Sequence, residues 1–156
     1  MEELLIQKEI NGEDVRWDLS RLYTGVGDPA LSGDVAKWVR MAEEFSTHYK
    51  GKLGETLGGA ITDYAELKKL EGKICIYLYL RQSTDVADPA VKAKIAEVER
   101  AMSAAQGEHL TFFLLELVAL DDILLEEWYV RDPVVARHKP WIEHHQARAR
   151  LGADHR

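Results

Sequence analysis

Asp28-Pro29-Ala30-Leu31-Ser32-Gly33-Asp34-Val35-Ala36-Lys37-Trp38-Val39-Arg40-Met41-Ala42-Glu43-Glu44-Phe45-Ser46-Thr47-His48-Tyr49 is the stretch that decides the fold. Leu31, Val35, Trp38, Ala42, Phe45 and Tyr49 follow one another in steps of 4, 3, 4, 3 and 4. That spacing puts all six on one face of an α-helix. Asp28 can accept hydrogen bonds from the free N–H groups of a first turn. Pro29 has no N–H to leave orphaned, and its φ is already set. Gly51, just past the end, suits the left-handed position that closes a helix.

The same punctuation recurs at Asp88-Pro89 and Asp132-Pro133, each time ahead of an apolar period. The chain therefore reads as all-α, with about five helices around a long antiparallel helical hairpin. One arm of the hairpin runs from Leu57 to about Arg81, carried by Ile61, Tyr64, Leu67, Leu70, Ile74 and Leu78. Gly58-Gly59 weakens its start. Ile74 to Leu80 is apolar all round and reads as a buried helix, since a lone strand would have no partner. The other arm is expected as one helix from Pro89 to about Ala119. Its seam is Val91, Ile95, Val98, Met102, Ala105, His109, Phe112, Glu116 and Ala119. From Leu110 the apolar face widens, which implies burial on two sides. Antiparallel packing of the arms sets His109 near Asp63, and Glu116 near Leu57 or Ala60. Asp121-Asp122 opens a short helix ending near Arg131. The last helix begins at Pro133, and Pro140 either bends or restarts it. Residues 1–16 form a weakly patterned arm, with Leu4, Leu5, Ile6 and Ile10 as its apolar content and Asn11-Gly12 as a turn.

With 156 residues, 46% hydrophobic and 30% charged, the chain has the length and composition of one globular domain. Its net charge of −7 repels a phosphate backbone, so no nucleic-acid partner is expected. Cys75 stands alone, which excludes a disulfide framework and points to a reducing, cytoplasmic setting. Met1-Glu2-Glu3 is acidic where a signal peptide would be basic. Leu110 to Leu120, the most apolar stretch, is too short to span a membrane.

Familiar catalytic spacings are missing. A helical zinc site needs two imidazoles four residues apart with a Glu beside the first, yet no His-Glu dipeptide and no such histidine pair occurs. Glu-x-x-His, the bundle di-iron motif, is also absent. His138 and His145 are seven apart and would share a face only in an unbroken helix; with His144 they read as solvated. His109 reads as a buried histidine bonded to Asp63 or to a backbone group. Glu116, among Phe112, Phe113, Leu115 and Leu117, reads as a buried carboxylate paired with a basic or hydroxyl group. Cys75 reads as an inert core residue with no neighbour that favours a thiolate. Tyr77 and Tyr79 read as core residues with hydroxyls at the rim. Glu43, Glu44, Glu66, Glu71, Glu97 and Glu99 read as solvated faces. No catalytic, cofactor-binding or metal-binding residue is assigned.

Trp17-Asp18-Leu19-Ser20-Arg21-Leu22-Tyr23 reads as an amphipathic clip. Asp18 caps a short turn, and Trp17, Leu19, Leu22 and Tyr23 drop onto the helices. This segment also resembles the opening of the oligoendopeptidase F family of thimet-oligopeptidase-like zinc metallopeptidases, which carries Trp-Asp-Leu-Ser-x-Leu-Tyr. Phe45-x-x-x-Tyr49-x-Gly51-Lys52-Leu53, Tyr64-x-Glu66-Leu67, the turn from Ser83-Thr84-Asp85 to Asp88-Pro89, Phe112-Phe113 to Leu120, and Trp141 continue the likeness over roughly residues 17–156. The resemblance implies a helical N-terminal lobe at 17–156 that walls and narrows a channel for short peptides. Zinc, held by His-Glu-x-x-His and a later Glu, would belong to a catalytic lobe beyond these residues. None of those ligands maps onto a position here, so this chain alone should be inactive. The implied partners are the catalytic lobe and short peptides, with homodimerisation through an exposed apolar surface as a further expectation. The alternative is a free-standing helical module that dimerises or docks a partner helix.

Overall fold

Each of the three Asp-Pro pairs starts a helix. Asp28 Oδ1 accepts from the Ala30 N–H at 2.9 Å, Asp88 Oδ1 from Ala90 at 2.8 Å, and Asp132 Oδ1 from Val134 at 2.8 Å. The computed structural model describes residues 18–153, and within them the chain is all-α, with no strand. The helices among the described residues are α1 (Pro29–Tyr49), α2 (Leu53–Thr84), α3 (Pro89–His109), α4 (Thr111–Ala119), α5 (Asp122–Arg131), α6 (Pro133–Arg137) and α7 (Lys139–Ala153). The expected arm at residues 1–16 and the Trp17 contact lie outside the described residues.

Helix α1 organises the rest. Leu31, Val35, Trp38, Ala42 and Phe45 are buried, and the α1 face packs along both α2 and α3. Trp38 is fully buried and its indole N–H donates to Leu67 O at 3.1 Å, so its one polar atom is satisfied inside the core. Removing such a side chain costs about 3–5 kcal/mol. The two long helices touch each other along less of their length than each touches α1. Gly51 takes φ +78 between α1 and α2, the left-handed conformation expected of it.

Four expectations are corrected. The arm from Pro89 to Ala119 is two helices. Leu110 ends α3 at φ −114, and Thr111 Oγ1 donates back to Gly107 O at 3.1 Å, a bond that bends helices. The weak point at the start of α2 is Thr56 (φ −126, ψ 19), whose hydroxyl back-bonds to Lys52 O, and not Gly58-Gly59. The Ile74–Leu80 run is a helix but not a buried one: Ile74, Tyr77 and Leu78 are buried, whereas Ile76 is 56% exposed and Tyr79 69%. The widened face of α4 is likewise not covered on two sides, since Leu115 is 63% exposed. Pro140 restarts the chain as α7 after a non-helical His138 (φ −94, ψ 6).

The clip folds back onto α1 and α2. Asp18 accepts from the Ser20 N–H at 3.0 Å, and buried Tyr23 donates to Asp34 Oδ2 at 2.6 Å. Tyr23 also meets Tyr77 edge-on, with ring centroids 4.9 Å apart. At the other end, Phe45, Tyr64, Phe113 and Trp141 form one aromatic node that ties α1 and α2 to α4 and α7.

Candidate functional site

On the side of α2 and α3 away from α1, the sparse contact between the two long helices leaves an open trough. Its upper stretch, about 300 Å³, lies between Cys75, Leu78 and Tyr79 of α2 and Ile95, Val98 and Met102 of α3. The next, about 290 Å³, lies between Tyr64 and Lys68 on one wall and Leu110, Leu114 and Leu115 on the other. A third, about 160 Å³, continues past Ile61 and Ala65 to His138 and Trp141. The first two share Gln106, and the second and third share Tyr64 and Lys68, so the hollows adjoin one another. Late residues of α2 face early residues of α3 across the trough.

The walls are apolar and the rim is charged. Lys68 Nζ donates to both Glu71 oxygens at 3.0 Å. Burial alone would lower the Lys68 pKa, but the Glu71 bond and nearby negative charge outweigh it and leave it above the ordinary lysine value. Burial raises the Tyr64 phenol, and burial followed by Glu71 raises the Cys75 thiol. Such a surface offers hydrophobic contact and a few directed charges. It carries no activated nucleophile.

A second hollow of about 400 Å³ separates α5 from α7 and is lined by Asp122, Glu126, Tyr129, Glu143, Gln146 and Arg150. Its charges close on one another. Arg150 holds Asp122 at 2.8 Å, and Lys139 lies 3.3 Å from Glu126 and 3.7 Å from Glu143.

The residues singled out in the sequence do not converge. Asp63 accepts from the Tyr49 hydroxyl instead of meeting His109, and His109 Nε2 lies 3.8 Å from Glu108 of its own helix. His109 is half-buried, not a core residue, because the chain turns at Leu110. Glu116 is half-buried too and accepts from the Gly51 N–H at 2.7 Å. Cys75 is exposed, which corrects its expected place in the core. His138 and His145 sit on separate elements: His138 Nδ1 is 2.8 Å from Val134 O, and His145 packs edge-on against Trp141. Tyr77 is core, but Tyr79 lines the trough.

The sequence reading missed the trough. Its signal was present in Ile74 to Leu80, where a helix apolar on every side has more apolar surface than one neighbour can cover. Among the described residues no three His, Cys, Asp or Glu side chains are grouped to hold a metal ion, so the zinc implied by the resemblance finds no ligand set in them. No described helix is long and apolar enough to cross a membrane. No protein-family model, no curated protein and no solved structure matches this chain.

Proposed function

We propose that this chain is the non-catalytic helical lobe of an oligoendopeptidase F-like zinc metalloendopeptidase, acting in the cytoplasm. It walls and narrows a channel, so that short unfolded peptides enter and folded proteins do not. The zinc ligands and the general base sit in a catalytic lobe outside these residues. The observation that carries this reading is where the resembling segments fall on the helices. Asp18 to Tyr23 forms the clip, Phe45 to Leu53 forms the α1–α2 corner, and Asp88-Pro89 starts α3. Phe113 and Trp141 stack in the node that joins α4 to α7. The reading frame downstream of Arg156 tests it. A continuation encoding His-Glu-x-x-His, with peptide hydrolysis by the full product that o-phenanthroline abolishes, supports the proposal. A stop codon after Arg156 overturns it.

The trough favours a second reading, a helical module that docks a partner helix or a second copy of itself. An apolar cleft between two helices is a recurrent seat for an amphipathic helix. Sedimentation velocity on the purified chain separates a self-associating module from a monomer that awaits a different partner.

A further inference from the structure

The two long helices have two grooves between them, and the molecule fills one with α1. On that filled side, each long helix reaches α1 with a lysine: Lys73 Nζ of α2 lies 2.9 Å from Asp34 Oδ2, and Lys94 Nζ of α3 lies 3.2 Å from Ser32 Oγ. The open side carries Lys68 of α2 along its lower stretches and acid only in the upper one. Glu71 of α2 and Glu99 of α3 flank the upper trough, where Cys75, Leu78, Ile95 and Met102 form the floor and walls. Lys68 neutralises Glu71, while exposed Glu99 has no basic side chain within ion-pairing distance among the described residues. From Tyr64 to Gln82 the α2 wall runs about 27 Å at 1.5 Å per residue. A helix of α1's 21 residues, about 32 Å long, covers that span.

We propose that the open trough seats one amphipathic helix from a partner protein. It would carry an apolar stripe spaced as in α1 and a lysine or arginine placed over Glu99. The partner thus mirrors α1 across the plane of the two long helices: apolar spacing supplies the contact and the opposite flanking charge sets direction and register. This inference rests on the docking reading above and stands apart from the peptidase reading.

The test uses the full chain and two synthetic, fluorescein-labelled 20-residue peptides. Both carry leucine in α1's 4-3-4-3-4 spacing, one with lysine and the other with glutamate at the flanking positions. Anisotropy titration is expected to show saturable, one-to-one binding of the lysine peptide and at least tenfold weaker binding of the glutamate peptide. Glu99→Lys and Tyr79→Asp should each weaken the lysine peptide about tenfold, a difference of about 1.4 kcal/mol. Val130→Asp, at an 88% exposed position of α5, should leave it unchanged. Bound peptide should also slow alkylation of Cys75. Equal binding of the two peptides overturns the charge assignment. Binding that survives both trough variants overturns the location while leaving the docking reading standing. Absence of saturable binding, or self-association without peptide that Tyr79→Asp abolishes, overturns the proposal.

Discussion

The backbone N–H of Gly51 donates to Glu116 Oε1 at 2.7 Å across 65 residues of chain, tying the left-handed corner between α1 and α2 to the side of α4. A carboxylate that accepts from a main-chain N–H holds a turn in place. Glu116→Ala is therefore expected to destabilise the fold by at most about 1 kcal/mol, since the bond is open to solvent. Gly51→Ala meets no atom within 4 Å of the new Cβ, so its cost is conformational alone, about 1–2 kcal/mol for a φ of +78. Urea denaturation of both single variants and the double variant should show coupling, because each disturbs the same corner. Strict additivity would mean that alanine at 51 leaves the bond undisturbed, and an unchanged midpoint in Glu116→Ala alone would mean that the bond contributes nothing.

Gly58 lies under the α6 cap. A Cβ there would overlap Asp132 Oδ2, while Oδ1 of the same carboxylate is committed to the N–H groups of Val134 and Val135. Asp132 cannot swing away without uncapping α6. Alanine favours a helix interior over glycine by about 1 kcal/mol, yet overpacking costs about 1–3 kcal/mol. Gly58→Ala is expected to lower the urea midpoint, and Asp132→Ala in the same chain should recover part of the loss. A stabilised Gly58→Ala protein would contradict the contact.

What could be read without coordinates was the local part. The Asp28, Asp88 and Asp132 caps, the α1 face and the Gly51 corner depend on residues within a few positions of one another. The break at Leu110 depends on a hydroxyl back-bond and on where α4 goes to meet α7, which periodicity does not encode. Because Ile74 to Leu80 is apolar on all sides, its pattern contains no information about which side is covered. Exposure of Cys75 and Tyr79, and with it the trough, follows from α1 occupying one groove and not the other. Glu116 lies beyond the break at Leu110, so a seam continued from α3 does not locate it.

Alkaline pH should expose the Tyr49–Asp63 bond. Burial, and then the hydrogen bond to Asp63, pushes the Tyr49 phenol up to about 12. The neutral phenol is the form that the fold favours. Its contribution is fully present below the unfolded value near 10 and is lost as pH rises towards 12. Stability measured by urea between pH 9 and 12 should fall, and Tyr49→Phe should flatten part of that decline. An unchanged slope in Tyr49→Phe would show that the bond is not formed in solution.

Asp34 governs the acid side. The Tyr23 hydroxyl holds its carboxyl below the ordinary value; burial opposes this, and the Lys73 ammonium adds to it. A depressed carboxylate contributes stability that is present above the unfolded value near 3.9 and disappears as pH falls through the folded one. Asp34→Asn should therefore reduce stability at pH 7 and leave a shallower loss below pH 4. Equal steepness in both proteins would remove Asp34 from the account.

Trp141 and His145 supply an internal pH reporter. Their rings meet edge-on with centroids 4.6 Å apart. Burial lowers the His145 pKa below the ordinary histidine value, and His144 and Arg148 lower it further. The fold thus favours neutral imidazole. That contribution is complete above the unfolded value near 6.5 and is lost as pH falls through the lower folded value. Protonated imidazole quenches a neighbouring indole, so tryptophan emission should drop along a titration centred below 6.5. Trp38 and Trp128 donate to Leu67 O and Gly54 O and have no histidine partner in their hydrogen bonds, so they should form the constant background. His145→Gln should abolish the transition, and Arg148→Ala should move its midpoint upward. A midpoint at or above the ordinary histidine value would mean that the ring is solvated and the Trp141 contact is not maintained.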